Sequence, residues 1–276
     1  MQRLGFTSGA DLGKFHGLTP IPAPSLMHSL ASIAAISLDL DDTLWAFGPA
    51  VIRAEQTLHD WLLQQAPRTA AVLTSPQVLG ELRARFQASR PDLAHNLREL
   101  RLGSIRMALE LADEDPALAQ AAYDVFFAAR QRVDFFEDAF PALEWLSRRF
   151  PLVAVSNGNA SLRVTGGHHF FQAALNPESA GCAKPDAAIF HAAVQAAGCR
   201  PEQMLHVGDD ADLDVVGALA AGLQAAWVVR DAAADAARWA RRGQAPHLIV
   251  RDLYALCRAI DPNCPVARAM PARTAH

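Results

Sequence analysis

Asp39 and Asp41 stand two residues apart at the end of the apolar run in ISLDLDDTLW, with Thr43 and Leu44 just beyond. Residues at i and i+2 of an extended chain point to the same face, so both carboxylates would leave the end of a buried strand side by side. One can attack an electrophile while the other moves protons. Two like charges so close are unfavourable unless a cation shares them, and the pair calls for a hard one such as Mg²⁺. An Asp-rich turn that only ends a strand is the plain alternative.

Three later segments weigh against that alternative. LVAVSNGN is an apolar run of strand length ending in Ser156 and Asn157, where a hydroxyl and backbone N–H groups can grip an anionic oxygen. CAKPDAAIF sets Lys184 just before a helix that Pro185 can open, and its ammonium is a compact charge suited to phosphate and to crowded carboxylates. MLHVGDDADLDVVGA breaks at Gly208 into Asp209, Asp210, Asp212 and Asp214, a supply of oxygen ligands for a hard cation. Asp210 and Asp212 read better as caps of the following helix.

From about residue 33 to about residue 260, these four segments in this order resemble the haloacid dehalogenase (HAD) superfamily. The resemblance implies Asp39 as nucleophile, Asp41 as acid/base, Ser156 and Lys184 as the second- and third-motif residues, and Asp209 and Asp214 as the acidic pair. It implies a Mg²⁺ ion held by Asp39, Asp41 and Asp209, with Asp214 acting behind them, and phosphate contacts from Thr43, Ser156, Asn157 and Lys184. The chemistry agrees: a carboxylate attacks a phosphate dianion only once charge is neutralised, after which Asp39 carries an aspartyl-phosphate. Asp41 would protonate the leaving alkoxide and then take a proton from the attacking water. Dehalogenases of this superfamily carry no Asp at the second acidic position, so Asp41 implies phosphate-ester hydrolysis. The strings LDLDDTLW, VAVSNGNA and HVGDDADLDVVGA look most like bacterial phosphatases acting on flavin mononucleotide and on 5-amino-6-(5-phospho-ribitylamino)uracil. Sugar-phosphate or nucleotide phosphatases, a mutase or phosphotransferase, and a non-catalytic binder on the same fold are the rival readings.

Elements that could hold these residues alternate through the second half. Helices near 141–149, 185–197 and 212–221 precede strands at 152–155, 204–207 and 225–229, and a last strand at 247–250 leads into a closing helix at 251–260. That pattern builds an α/β, Rossmann-like, doubly wound parallel sheet, with ligands beyond the carboxyl ends of its strands. Gly198 and Gly222 sit where helix C-terminal glycines belong. Between the first two motifs the period becomes helical: Val51, Ala54, Leu58, Trp61 and Leu62, then Leu79, Leu82 and Phe86, then Leu118, Val125, Ala129 and Val133. Ser75-Pro76 and Asp115-Pro116 look like helix starts. The expected organisation is an N-terminal extension over 1–32, a core over 33–45 and 139–260, an all-helical cap over 46–138, and an irregular tail over 261–276.

Composition sets outer bounds. The 276 residues are 51% hydrophobic, enough for a sizeable core, with a formal net charge of −4. That balance offers no general field for DNA, RNA or an anionic membrane, so phosphate binding must be local and the expected partner is a small phosphorylated metabolite. No stretch approaches the ~20 apolar residues of a membrane span. The opening ~30 residues lack the basic start and apolar centre of a signal peptide, and Met27 is a possible alternative start. Cys182, Cys199, Cys257 and Cys264 lack CxxC spacing and read as reduced thiols in a cytoplasmic protein; monomer or dimer is left open.

Other features invite plainer readings. Adjacent His168 and His169 cannot converge on a metal as i, i+4 ligands do, and His206 in its strand reads as a packed, hydrogen-bonded imidazole. Trp45 and Phe47 either line the pocket or hinge the cap. Arg98, Arg101, Arg106, Arg130 and Arg132 make the cap basic; most belong to solvated faces, with one or two free to reach an anionic or aromatic substrate. A ribityl phosphate on a flat ring would suit a site where cap arginines or Trp45 stack on that ring.

Overall fold

The computed structural model describes residues 33–93, 96–230 and 245–266, apart from the side chains of residues 76 and 77. The expected extension over 1–32 lies outside these residues, as does the tail beyond 266; residues 261–266 form a turn without helix or strand.

Six strands run parallel: β1 (Ala35–Leu38), β2 (Leu152–Val155), β3 (Ala173–Leu175), β4 (Met204–Gly208), β5 (Gln224–Val228) and β6 (Leu248–Val250). Their order is β3-β2-β1-β4-β5-β6. The chain therefore builds outward on one side of β1 and then returns to build outward on the other. The switch falls between β1 and β4, where loops diverge and leave a crevice at the carboxyl ends.

Alternation explains how both faces are covered. Ile36 and Leu38, Leu152 and Ala154, and Leu205 and Val207 pack on one face with Leu143, Leu146, Leu253 and Leu256. Ala35, Val153, Val155 and Met204 pack on the other with Ile189, Phe190, Val194 and Val215. Strands buried on both faces read as continuous apolar runs, and the four-residue β1 and β2 do so. The period-two rule also directs Ser37 and His206, paired across β1 and β4, toward the second face.

Among the described residues, five α-helices between β1 and residue 130 make up the inserted cap: α1 (Phe47–Gln65), α2 (Pro67–Val72), α3 (Pro76–Ser89), α4 (Leu97–Leu111) and α5 (Ala119–Arg130). Ala54, Leu58 and Leu62 of α1 share a separate core with Ala122, Phe126 and Ala129 of α5. Burying side chains of this size contributes about 1.5–3 kcal/mol for each large one, so the cap has a cohesion of its own. Gly103 of α4 allows close approach to α3, since a Cβ there would overlap the Phe86 ring.

Several boundaries differ from the sequence expectation. The helix after Lys184 begins at Ala187, with the Asp186 carboxylate accepting from Ala188 N at 2.9 Å, so Pro185 precedes the helix instead of opening it. The helix expected at 141–149 runs over Ala139–Ser147. Val125 is only half-buried, and Phe126 takes the inward place. Ser75 sits at the N-cap of α3 without a side-chain bond, whereas Asp115 accepts from Ala117 N at 2.9 Å and opens a short 3₁₀ turn before α5. Strand β3 was not anticipated, because Ala173–Leu175 is too short and too poor in β-branched residues to signal.

Candidate active site

Four strand ends and loops bring the site together. Strand β1 delivers Asp39, whose N–H donates to Val207 O of β4 at 2.9 Å, continuing the ladder one residue past the strand. Asp42 then turns the chain with φ 56°, a left-handed conformation that Asp tolerates better than most residues. Strand β4 ends at Gly208, where a Cβ would collide with Asp214; only a glycine lets that carboxylate fold back beneath the site. Residues Ala211–Val216 wind as a wide π-type turn in place of the expected α-helix, and the bulge turns Asp214 inward. Asp210 accepts from Asp212 N and Leu213 N at 2.8 Å, the capping role expected of it.

Lys184 is the hub. Its Nζ donates to Asp39 Oδ1 at 2.5 Å and to Asp214 Oδ1 at 2.6 Å, and its side chain is almost wholly buried. Burial opposes the charge, but the two carboxylates outweigh it and hold the ammonium protonated. Burial likewise opposes ionisation of Asp214, yet Lys184 and His206 bring it down to about 2. Both Asp214 oxygens are hydrogen-bonded: His206 Nε2 lies 3.1 Å from Oδ1, and Asp210 N donates to Oδ2 at 3.0 Å. Behind it, Ser37 Oγ is 2.9 Å from His206 Nδ1. Burial pushes the His206 pKa down and favours the neutral imidazole, a form in which Nε2–H donating to Asp214 would leave Nδ1 to accept from Ser37. The packed, hydrogen-bonded histidine expected from the strand is thus found.

Asp39, Asp209 and Asp214 each offer an oxygen within 4.8 Å of the others. Burial raises the pKa of Asp39, with Lys184 opposing. Burial first and Asp214 second push Asp209 up to about 7. Carboxylates raised by burial and by mutual repulsion are what a hard cation relieves, and all three donors are oxygen. The set therefore fits a divalent ion such as Mg²⁺.

Asp41, expected to share that cation, lies outside this trio. Its Oδ1 accepts from Trp45 Nε1 at 2.7 Å and from Arg130 Nη2, in the last turn of α5, at 2.5 Å. Trp45 is fully buried and packs edge-on against Phe135 at 4.9 Å. Wholly buried, it is not placed to stack on a substrate ring, which corrects that expectation, and its backbone bridges Asp41 on one side and Phe135 on the other. Thr43 is also fully buried, and its hydroxyl reaches Asp209 Oδ1 at 3.4 Å, steadying that carboxylate instead of facing the crevice.

Ser156 Oγ accepts from Gly158 N at 2.9 Å, shaping the loop after β2. Asn157 clamps Lys184 through both ends of its amide, with Nδ2 donating to Lys184 O at 2.9 Å and Oδ1 accepting from Lys184 N at 2.8 Å. Sequence reasoning assigned only the Asn157 backbone to the site. Ser37 was missed and carries no local signal, and Arg130 was named only as one of five cap arginines, with nothing in the sequence pointing to its bond with Asp41. His168 and His169 form a short turn by Phe170, away from this cluster.

This chain belongs to the haloacid dehalogenase-like hydrolase family, whose model matches residues 33–222. It is 30% identical over 235 residues to the 5-amino-6-(5-phospho-D-ribitylamino)uracil phosphatase YigB of Escherichia coli, covering 84% of this chain and 98% of that protein. It is 36% identical over 132 residues to the phosphoserine phosphatase of Thermus thermophilus, across 45% of this chain and 53% of that one. Among solved structures, the 2-haloacid dehalogenase of Pseudomonas syringae pv. Tomato DC3000 superposes with a TM-score of 0.74 at 34% identity, over 83% of this chain and 98% of that chain. No helix of the described residues is long and apolar enough to cross a membrane.

Proposed function

We propose that the protein is a Mg²⁺-dependent phosphatase that hydrolyses a small phosphorylated metabolite through an aspartyl-phosphate on Asp39. The observation that carries the reading is the pairing of two differently placed carboxylates. Asp39 sits beside Lys184 in the anionic trio, while Asp41 stands outside it, held by Trp45 and Arg130. One is placed to attack; the other keeps a separate environment in which to give and take a proton.

Asp39 and Asp209 would hold the ion, with Asp214, whose oxygens are already engaged, keeping Lys184 in place behind them. Bound there, Mg²⁺ would neutralise charge on the phosphoryl oxygens. Lys184 and the backbone N–H groups after Ser156 would hold those oxygens as charge redistributes during attack. Asp41 would protonate the departing alkoxide and then deprotonate the water that releases phosphate.

Likeness to a dehalogenase structure raises a second reading, and Asp41 disfavours it. A departing halide needs no proton, whereas a departing alkoxide does, and Asp41 would be idle in a dehalogenase. Among phosphate esters, the relative named for the phosphoribitylamino-uracil supports that compound or flavin mononucleotide as substrate.

The test is phosphate release from a panel of phosphorylated metabolites with Mg²⁺ and with EDTA, including both flavin-pathway compounds and simple sugar phosphates. Asp39→Asn, isosteric but without an anionic nucleophile, should fold and lose turnover. Release undiminished by EDTA or by Asp39→Asn would sink the mechanism. Sugar phosphates turned over tenfold better, about 1.4 kcal/mol in transition-state binding, would exclude the flavin-pathway substrates.

A further inference from the structure

A cavity of about 420 Å³ lies between cap and core, with Phe47, Arg83, Arg101, Phe126, Arg130 and Gly158 in its wall. We infer that it receives the distal end of the substrate and selects a planar group with paired oxygen acceptors, a carboxylate or the dicarbonyl edge of a heterocycle. This rests on the phosphatase reading above.

Three guanidiniums in one wall are more than its carboxylates neutralise. Arg101 is 7% exposed, and its nearest carboxylate, Glu55, is 3.6 Å away, a long contact for an ion pair. Arg130 is 3% exposed; Nη2 binds Asp41, while Nη1 is buried with no hydrogen-bond partner among the described residues. Arg83, half-buried, makes no ion pair among them either. Burial and the neighbouring Arg83 bring the Arg101 pKa down to about 10, the mark of a cation with too little counter-charge.

The orientation of these groups narrows the ligand. Arg101 lies over the Phe126 ring at 4.1 Å and Arg130 over Phe47 at 5.1 Å, so one face of each guanidinium is covered by an aromatic ring. Their remaining N–H groups lie in the guanidinium plane and match a planar pair of oxygens better than a single hydroxyl. Gly158 joins the cavity to the reacting end: it follows Ser156 and Asn157, and a Cβ there would sit 2.5 Å from Asp41 Oδ2. Arg130, also in the wall, donates to Asp41 Oδ1, so the cavity adjoins the acid/base end of the site and has room for a ring.

The experiment compares phenyl phosphate, 4-carboxyphenyl phosphate and flavin mononucleotide as substrates of the Mg²⁺-loaded protein and of Arg83→Gln, with melting temperatures as the folding control. The wild type should prefer at least one acceptor-bearing ester over phenyl phosphate by tenfold or more in kcat/KM, and Arg83→Gln should bring that ratio toward one, chiefly through KM. Preference for the carboxyphenyl ester alone identifies a carboxylate ligand; preference for the flavin alone identifies the dicarbonyl ring. Absence of preference, or one that Arg83→Gln leaves intact, overturns the inference. If no ester is hydrolysed, the phosphatase reading fails separately, and titration with the non-hydrolysable phenylphosphonate and 4-carboxyphenylphosphonate still decides: tighter, Arg83-dependent binding of the carboxy compound supports the cavity's role, and equal binding refutes it.

Discussion

Replacing Gly158 by alanine would strike Asp41 without touching it chemically. The added methyl would lie 2.5 Å from Asp41 Oδ2 and 3.2 Å from Ser156 Oγ. Comfortable contact begins near 3.5 Å, so roughly 1 Å of relief is needed. The carboxylate cannot simply turn away, because Oδ1 is held by Trp45 at 2.7 Å and by Arg130 at 2.5 Å. Either those bonds break or the loop after β2 retreats, taking Ser156 with it. A displacement of about 1 Å in a reacting group can cost on the order of 10²-fold, about 2.7 kcal/mol in the barrier. Stability should change little, since Gly158 is half-buried in a loop and is not among the glycines with positive φ. The measurement is kcat/KM on an unactivated phosphate ester beside the melting temperature. Gly48→Ala, whose new methyl meets nothing within 4 Å, serves as control. Full activity in Gly158→Ala would refute the placement of Asp41 as the working acid and base.

Other perturbations follow from the same contacts. Lys184→Met leaves two buried carboxylates facing each other and should destabilise the fold by about 3–5 kcal/mol, read by chemical denaturation, with loss of turnover; a change under about 1 kcal/mol would contradict its place as hub. Asp41→Asn should slow unactivated esters more than p-nitrophenyl phosphate, whose leaving group needs little protonation, and equal losses would count against the acid role. Cys257 is fully buried, and burial pushes its thiol up to about 12, so at pH 8 only a trace is thiolate and iodoacetamide should label it only after unfolding. Rapid labelling at Cys257 itself in the native protein, resolved from the three partly exposed cysteines by peptide mapping, would show that the closing helix Leu253–Ile260 opens readily.

Much of the site was legible because its residues are tied to local chain events. Asp39 and Asp209 each follow an apolar run, and such runs become strands whose ends share one edge of a parallel sheet. Lys184 was legible from its place before a helix, although the start of that helix was misread at Pro185 when Asp186 supplies the cap. Trp45 was ambiguous in sequence because an aromatic beside a catalytic strand can face either way, and its complete burial against Phe135 shows that it faces inward.

What the sequence determined by itself was the alternation of helices and strands apart from β3, the helical nature of the cap, and the carboxylates and lysine that meet at the strand ends. Apolar period and chain order suffice for these, because a parallel strand has its carboxyl end at the same edge as its neighbours. The tertiary structure decided which partners those groups keep. Arg130 reaches Asp41 across 89 positions, Ser37 meets His206 across 169, and the arginine-lined cavity forms only where cap and core face each other. A helical repeat fixes which side of α5 is apolar, but Arg130 is buried between Phe47 of α1 and Asp41 beyond β1, contacts between segments that no local pattern encodes.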